Sequence, residues 1–180
     1  MSLTVDDFYQ CFPTLARSTD RSHISALLDA VDTRQIPAGH TLIQENESSS
    51  TFYMLLEGSL NVTIEANGQI LSLGKIGKGG CVGEISMLDD APATATVTAD
   101  TDSTVLALTE EKFWKLDKQN PAVTTTLLRS LSHMMSDRIR AATEMILPLL
   151  DSEEAPGDRA VLSGMLGNAY ANLYGLGEKA

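Results

Sequence analysis

Residues 81–97 read C-V-G-E-I-S-M-L-D-D-A-P-A-T-A-T-V, and the rest of the chain is arranged around them. Gly83-Glu84 opens the stretch, and the short apolar run of Ile85, Met87 and Leu88 follows. An acidic turn at Asp89-Asp90 ends in Pro92, after which Thr94, Thr96 and Val97 begin a β-branched run. This order describes a strand end, one helical turn whose free N–H groups face a pocket, and a strand that re-enters a sheet. A helix N-terminus beside a glycine offers unpaired backbone donors to an anion, because a residue without a Cβ lets the backbone come close.

Upstream of this stretch the pattern has period two. Thr33 to Ile36, Thr41 to Gln44, Phe52 to Leu56, Leu60 to Ile64 and Ile70 to Leu73 are expected strands. They are divided by Pro37-Ala38-Gly39, Asn46 to Ser50, Gly58 and Asn67-Gly68. Asn67-Gly68 suits a type I′ hairpin, whose two central residues both need positive φ. Downstream, Ala95 to Ala99 and Val105 to Leu108 complete the set. Many short strands with this punctuation predict a sandwich or jelly-roll barrel.

Helical periodicity stands at both ends. Phe8, Cys11 and Phe12 share one face before Pro13 breaks the run. Thr19 or Asp20 is placed to cap a second helix burying Ile24, Leu27, Leu28 and Val31. After the strands, Thr109 followed by Glu110-Glu111 starts a helix carrying Phe113, Trp114 and Leu116, and Asn120-Pro121 punctuates it. From Ala122 to about Leu147 a long helix is expected. In it Leu128, Met135, Ala142 and Leu149 recur every seven residues, with Leu131, Arg138 and Met145 offset by three. Such an a/d seam predicts a two-helix interface and hence a homodimer, whereas the plainer reading packs the same face on the chain's own strands. Pro148 and residues 151–158 read as an acidic linker, followed by a weak helix from Arg159 to Leu176.

The whole is an α+β chain: residues 1–120 as a double-stranded β-helix (jelly roll) with N-terminal helices, 121–150 as a long dimerisation helix, and 151–180 as linker and helical tail. Acidic residues outnumber basic ones by 24 to 13, a net charge of −11 that opposes DNA and anionic membrane surfaces. No apolar run has the length of a membrane span and no basic-then-apolar leader opens the chain. Cys11 and Cys81 form no disulfide framework, so a cytoplasmic location is expected.

The central stretch resembles the phosphate-binding cassette of the cyclic-nucleotide-binding domain family, whose pattern is roughly F-G-E-L-A-L-L, a variable turn, then P-R-A-A-T-V. Here it stands as V-G-E-I-S-M-L, D-D-A and P-A-T-A-T-V. Gly58 after Met54-Leu55-Leu56-Glu57, and Gly74, Gly77 and Gly79 before the cassette, fit the same family, and the resemblance covers about residues 20 to 145. It implies cAMP or cGMP as a ligand, a signalling role and an effector protein as partner, with no other cofactor.

Carried over residue by residue, the resemblance places Glu84 on the ribose 2′-hydroxyl. It sets Gly83 and the N–H groups of Ile85 and Ser86 around the cyclic phosphate. Pro92, Ala93, Thr94 and Ala95 follow in the cassette turn. The plainer readings are a helix-dipole carboxylate for Glu84 and an ordinary turn glycine for Gly83. Ala93 departs from the pattern, because nucleotide-binding members have arginine there. Losing a charge-assisted bidentate partner to a phosphate costs roughly 2 to 5 kcal/mol. Asp89 and Asp90 add repulsion if they face inward, while Thr94 offers a hydroxyl where members place a phosphate-contacting serine or threonine. Arg138 stands where catabolite activators have an arginine reaching toward the ligand; an ion pair is the alternative. The purine-capping Thr-Ser pair falls on Ala142-Thr143, so half of it remains. Lys75 and Lys78, in G-K-I-G-K-G-G, are further candidate cations, although this is not a P-loop.

Three functions are thereby set against one another. One is a cyclic-nucleotide sensor signalling through its dimer helix. Another is a degenerate domain serving as an interaction scaffold or binding another small ligand. An enzyme is not expected: His23, His40 and His133 are isolated, and nothing places a base beside Cys81. The acidic tail beyond Pro148 offers no basic recognition helix for DNA.

Overall fold

The computed structural model describes residues 3–17, 19–89 and 91–151. The expected tail from 152 onward lies outside these. Three helices open the chain, α1 (Val5–Cys11), α2 (Pro13–Ala16) and α3 (Arg21–Ala30). Thr4 and Asp7 form a reciprocal capping box on α1, which satisfies two backbone donors that the first turn leaves open. Pro13 ends α1 and then serves as the first residue of α2, where its missing N–H costs nothing. Asp20 is the N-cap of α3, although its side chain makes no capping bond.

Eight strands follow: β1 (Asp32–Ile36), β2 (Thr41–Ile43), β3 (Thr51–Glu57), β4 (Leu60–Ala66), β5 (Gln69–Ile76), β6 (Cys81–Val82), β7 (Thr96–Ala99) and β8 (Ser103–Thr109). They form two antiparallel sheets ordered β1-β8-β3-β6 and β2-β7-β4-β5. The short β6 pairs through Tyr53 with Val82 and Met54 with Cys81. At the β4–β5 turn, Asn67 and Gly68 both take positive φ, 54° and 73°, as the hairpin reading requires.

Two cores result. Ile43, Leu55, Leu60, Val62, Val97 and Val105 fill the space between the sheets. Phe52, Met54, Leu106 and Leu108 turn the other way, onto Phe8, Phe12, Ile24 and Leu27 of the helices. Central strands β3 and β8 are therefore covered on both faces, which is why Phe52 to Leu56 and Val105 to Leu108 are continuous apolar runs.

Between β6 and β7 lies α4 (Glu84–Asp89), and after β8 come α5 (Glu110–Gln119) and α6 (Pro121–Asp151). The Thr109 hydroxyl accepts from the Lys112 amide and caps α5. At the elbow, the buried Thr124 hydroxyl donates to Asp117 at 2.5 Å and ties α6 to α5. The long helix runs through Pro148 to Asp151, so the expected linker start belongs to the helix.

The packing of α6 divides the predicted seam. Val123, Leu127, Leu131 and Met134 are buried against the N-terminal helices, and Arg138 is buried as well. Leu128 and Met135 are half-buried and Ile139 is 64% exposed. Leu131 and Arg138 are thus committed inward, and an interhelical seam retains Leu128 and Met135 without them.

Gly58 and Gly68 carry an unequal structural demand. A Cβ on Gly58 (φ +94°) would stand 2.2 Å from Ser103 Oγ and 2.7 Å from the Asp102 carbonyl oxygen. On Gly68 (φ +73°) it would meet nothing within 4 Å. Urea unfolding is expected to report a loss of about 3 kcal/mol for Gly58→Ala, from clash plus left-handed strain. For Gly68→Ala, strain alone gives a loss of about 1 kcal/mol.

Candidate ligand-binding site

Gly83 sets the geometry. Its φ is +83°, and a Cβ there would lie 2.3 Å from the Thr51 carbonyl oxygen, so the chain turns from β6 into α4 hard against β3. That turn brings Glu84, the first residue of α4, to 2% exposure. The Glu84, Ile85 and Ser86 amides have no intrahelical acceptor, as the first turn of any helix dictates.

A carboxylate removed from water needs a partner, and α6 supplies it. Arg138, 8% exposed, donates through Nη1 to Glu84 Oε1 and through Nη2 to the Cys81 carbonyl at 3.0 Å. The two residues are 54 positions apart. Removing one partner of such a buried pair typically costs about 3–5 kcal/mol, because the other charge is left uncompensated.

Beside this pair is a recess of about 350 Å³, counting the solvent at its mouth. Ile43, Val62, Val82 and Val97 form aliphatic walls, with Ala93 and Ala95 among them. Gly83, Glu84, Ile85, Ser86 and Thr94 complete the lining. The cassette turn is pinned opposite: the Ala93 amide donates to the Glu47 carbonyl at 2.9 Å, and the Asn46 amide to the Ala93 carbonyl at 2.8 Å. Ala93 is 4% exposed, so the position that would carry arginine presents a methyl group to the interior.

The other candidate cations are not brought here. Lys75 Nζ pairs with Asp100 at 2.7 Å, and Lys78 lines a separate groove with Asp7 and Glu57. Pro92 is exposed and outside the recess lining. Thr143 is exposed too, its hydroxyl donating to the Ile139 carbonyl one turn back. Asp89 is exposed and its Oδ1 accepts from the Ala91 amide at 3.0 Å, which turns it into the loop and away from the walls.

Burial pushes both thiols up, Cys81 far above the ordinary range, so neither is a ready thiolate. Among the described residues no group of three or more His, Cys, Asp and Glu is placed to hold a metal. No described helix is long and apolar enough to cross a membrane. The sequence reading missed the Cys81 carbonyl as an acceptor and the walls Ile43, Val62, Val82 and Val97. Strand alternation would have pointed to the valines of β4 and β7; nothing local marks a carbonyl.

The family model described as the cyclic nucleotide-binding domain matches residues 33–120. The cAMP-dependent protein kinase regulatory subunit of Eremothecium gossypii is 33% identical over 114 residues, 63% of this chain and 24% of that protein. Other relatives are neuropathy target esterases and lysophospholipases; the chain covers 7% of the Drosophila grimshawi esterase and 8% of the Aspergillus oryzae lysophospholipase. The chain thus spans about a quarter or less of the length of these curated relatives.

Among solved structures, a cyclic nucleotide-binding domain from Methylobacillus flagellatus superposes with a TM-score of 0.72 at 21% identity, covering 80% of this chain and 84% of that one. The regulatory subunit of a cAMP-independent protein kinase A from Trypanosoma cruzi, bound to guanosine, gives 0.62 at 19% identity, covering 74% and 45%. At these identities the likeness is one of fold. With sequence match and architecture in agreement, residues 33–120 belong to the cyclic nucleotide-binding domain family.

Proposed function

We propose that the chain is a non-catalytic regulatory module in which occupancy of the cassette recess is sensed by the Glu84–Arg138 pair and transmitted by α6. The observation that carries this reading is the position of Arg138: a side chain rooted on α6 satisfies the buried carboxylate of the ligand recess. A ligand whose donors compete for Glu84 changes what holds the second half of α6. The shift is bounded by the ligand's differential affinity for the two arrangements of the helix.

Cyclic nucleotides are the ligands the family name implies, and cAMP or cGMP would meet Ala93 where a phosphate-binding arginine is missing. That a protein of similar fold, the regulatory subunit from Trypanosoma cruzi, was solved bound to guanosine supports considering a ligand other than a cyclic nucleotide. The receiver of the signal is a second copy of the chain, an effector protein, or both. The outer face of α6 supports the second copy. Leu128, Met135 and Ile139 recur at spacings of seven and four, and Ile139 is 64% exposed. A helix of 31 residues is about 46 Å long and continues well past Arg138.

Hydrogen exchange on the ligand-free protein tests the coupling. Glu84→Gln and Arg138→Gln are each expected to speed exchange of α6 amides around 134–144 more than those of β3 and β8. In a double-mutant cycle the two are expected to be non-additive, with a coupling of about 1–3 kcal/mol. Unchanged exchange in α6 for both variants would sink the reading.

Sedimentation tests the assembly. The wild type is expected to be a dimer at micromolar concentration and Ile139→Asp a monomer with the same far-ultraviolet spectrum. A wild-type monomer would remove the second copy as receiver.

A further inference from the structure

The charge balance of the recess identifies the class of its ligand, on the reading that recess occupancy is what the Glu84–Arg138 pair senses. We infer that the recess takes an uncharged ring-and-hydroxyl ligand, a nucleoside, in preference to the corresponding cyclic nucleotide monoanion.

The walls are aliphatic, from Ile43, Val62, Val82 and Val97, and among the described residues that line the recess none is a lysine, arginine or histidine. A flat base loses little by leaving water against such a surface. The charges bordering it are a neutral pair, Glu84 with Arg138. A phosphate placed here adds one negative charge that no cation among the described lining residues meets. To neutralise itself it must draw Arg138 away from Glu84 and the Cys81 carbonyl. That would leave a carboxylate of 2% exposure without its guanidinium.

A neutral ligand makes no such demand. Arg138 occupies Oε1 of Glu84, and a carboxylate has about four acceptor sites in all. A vicinal diol can therefore donate to Glu84 while the ion pair stays in place. Ser86 and Thr94 add uncharged hydroxyls to the lining.

The test is calorimetric titration of the full chain with guanosine, adenosine, their 2′-deoxy forms and their 3′,5′-cyclic monophosphates. At least one ribonucleoside is expected to bind about tenfold or more tighter than its cyclic monophosphate, and to lose about tenfold when the 2′-hydroxyl is removed. Glu84→Gln is expected to weaken the nucleoside. Ala93→Arg adds a cation without touching Glu84 and is expected to reverse the order in favour of the cyclic monophosphate. Thermal unfolding of each variant verifies folding, and the wild-type ranking decides if a variant does not fold.

A cyclic monophosphate that binds the wild type as tightly as its nucleoside overturns the inference. So does the absence of nucleoside binding up to about 1 mM. If nucleosides fail while ligand-free Glu84→Gln and Arg138→Gln still loosen α6, the ligand class falls and the coupling reading stands. If the α6 response is also missing, both fall.

Discussion

Glu84 and Arg138 are both withdrawn from water and come from elements that share no local sequence. Neither charge can be left alone in such a place, because the desolvation of one is offset only by the presence of the other. The position of α6 is therefore tied to the position of the cassette. The fork geometry of the guanidinium sharpens the tie, since one arm goes to the carboxylate and the other to the carbonyl of the residue that ends β6. A lysine would neutralise the charge without holding both acceptors.

The rest of the fold is what allows that pair to exist. β3 and β8 are covered on both faces, by the opposite sheet on one side and by the N-terminal helices on the other. The same helices give α6 a surface to lie on, through Val123, Leu127, Leu131 and Met134. This apolar contact aims the helix, and Arg138 is the next inward position along it. Gly83 completes the arrangement from the other side, since any side chain there would strike the Thr51 carbonyl at the turn that leads into Glu84. Dispersion and burial thus supply the affinity of helix for roll, and the ion pair supplies its register at the recess.

The same pair explains how a member of this family lacks the cassette arginine without leaving its buried carboxylate bare. In the described residues the cation beside Glu84 arrives from α6, and Ala93 contributes only a methyl group to the wall. Electrostatic neutrality is kept, but the cation is directed at the protein's own carboxylate. Lys75 and Lys78, which stand close to the cassette in sequence, are drawn to Asp100 and to a different groove.

Much of the fold is legible in the sequence. The strands and turns follow from alternation and from Asn67-Gly68, because side-chain direction and positive φ are properties of one or two residues. The cassette, the long helix and the missing arginine at Ala93 are likewise written in consecutive residues. The destination of the long helix is legible only in part: heptad spacing leaves the Leu131–Arg138 face open to a partner helix or to the chain's own strands, the family resemblance points Arg138 toward the ligand, and the fold turns both residues inward. Thr143 and Pro92 were read into the site and stand away from the recess, while the Cys81 carbonyl was not read at all. Local periodicity determines which elements form and which faces are apolar. Which cation meets which carboxylate across 54 residues depends on where the α5–α6 elbow directs a helix, and that is decided by packing among distant segments.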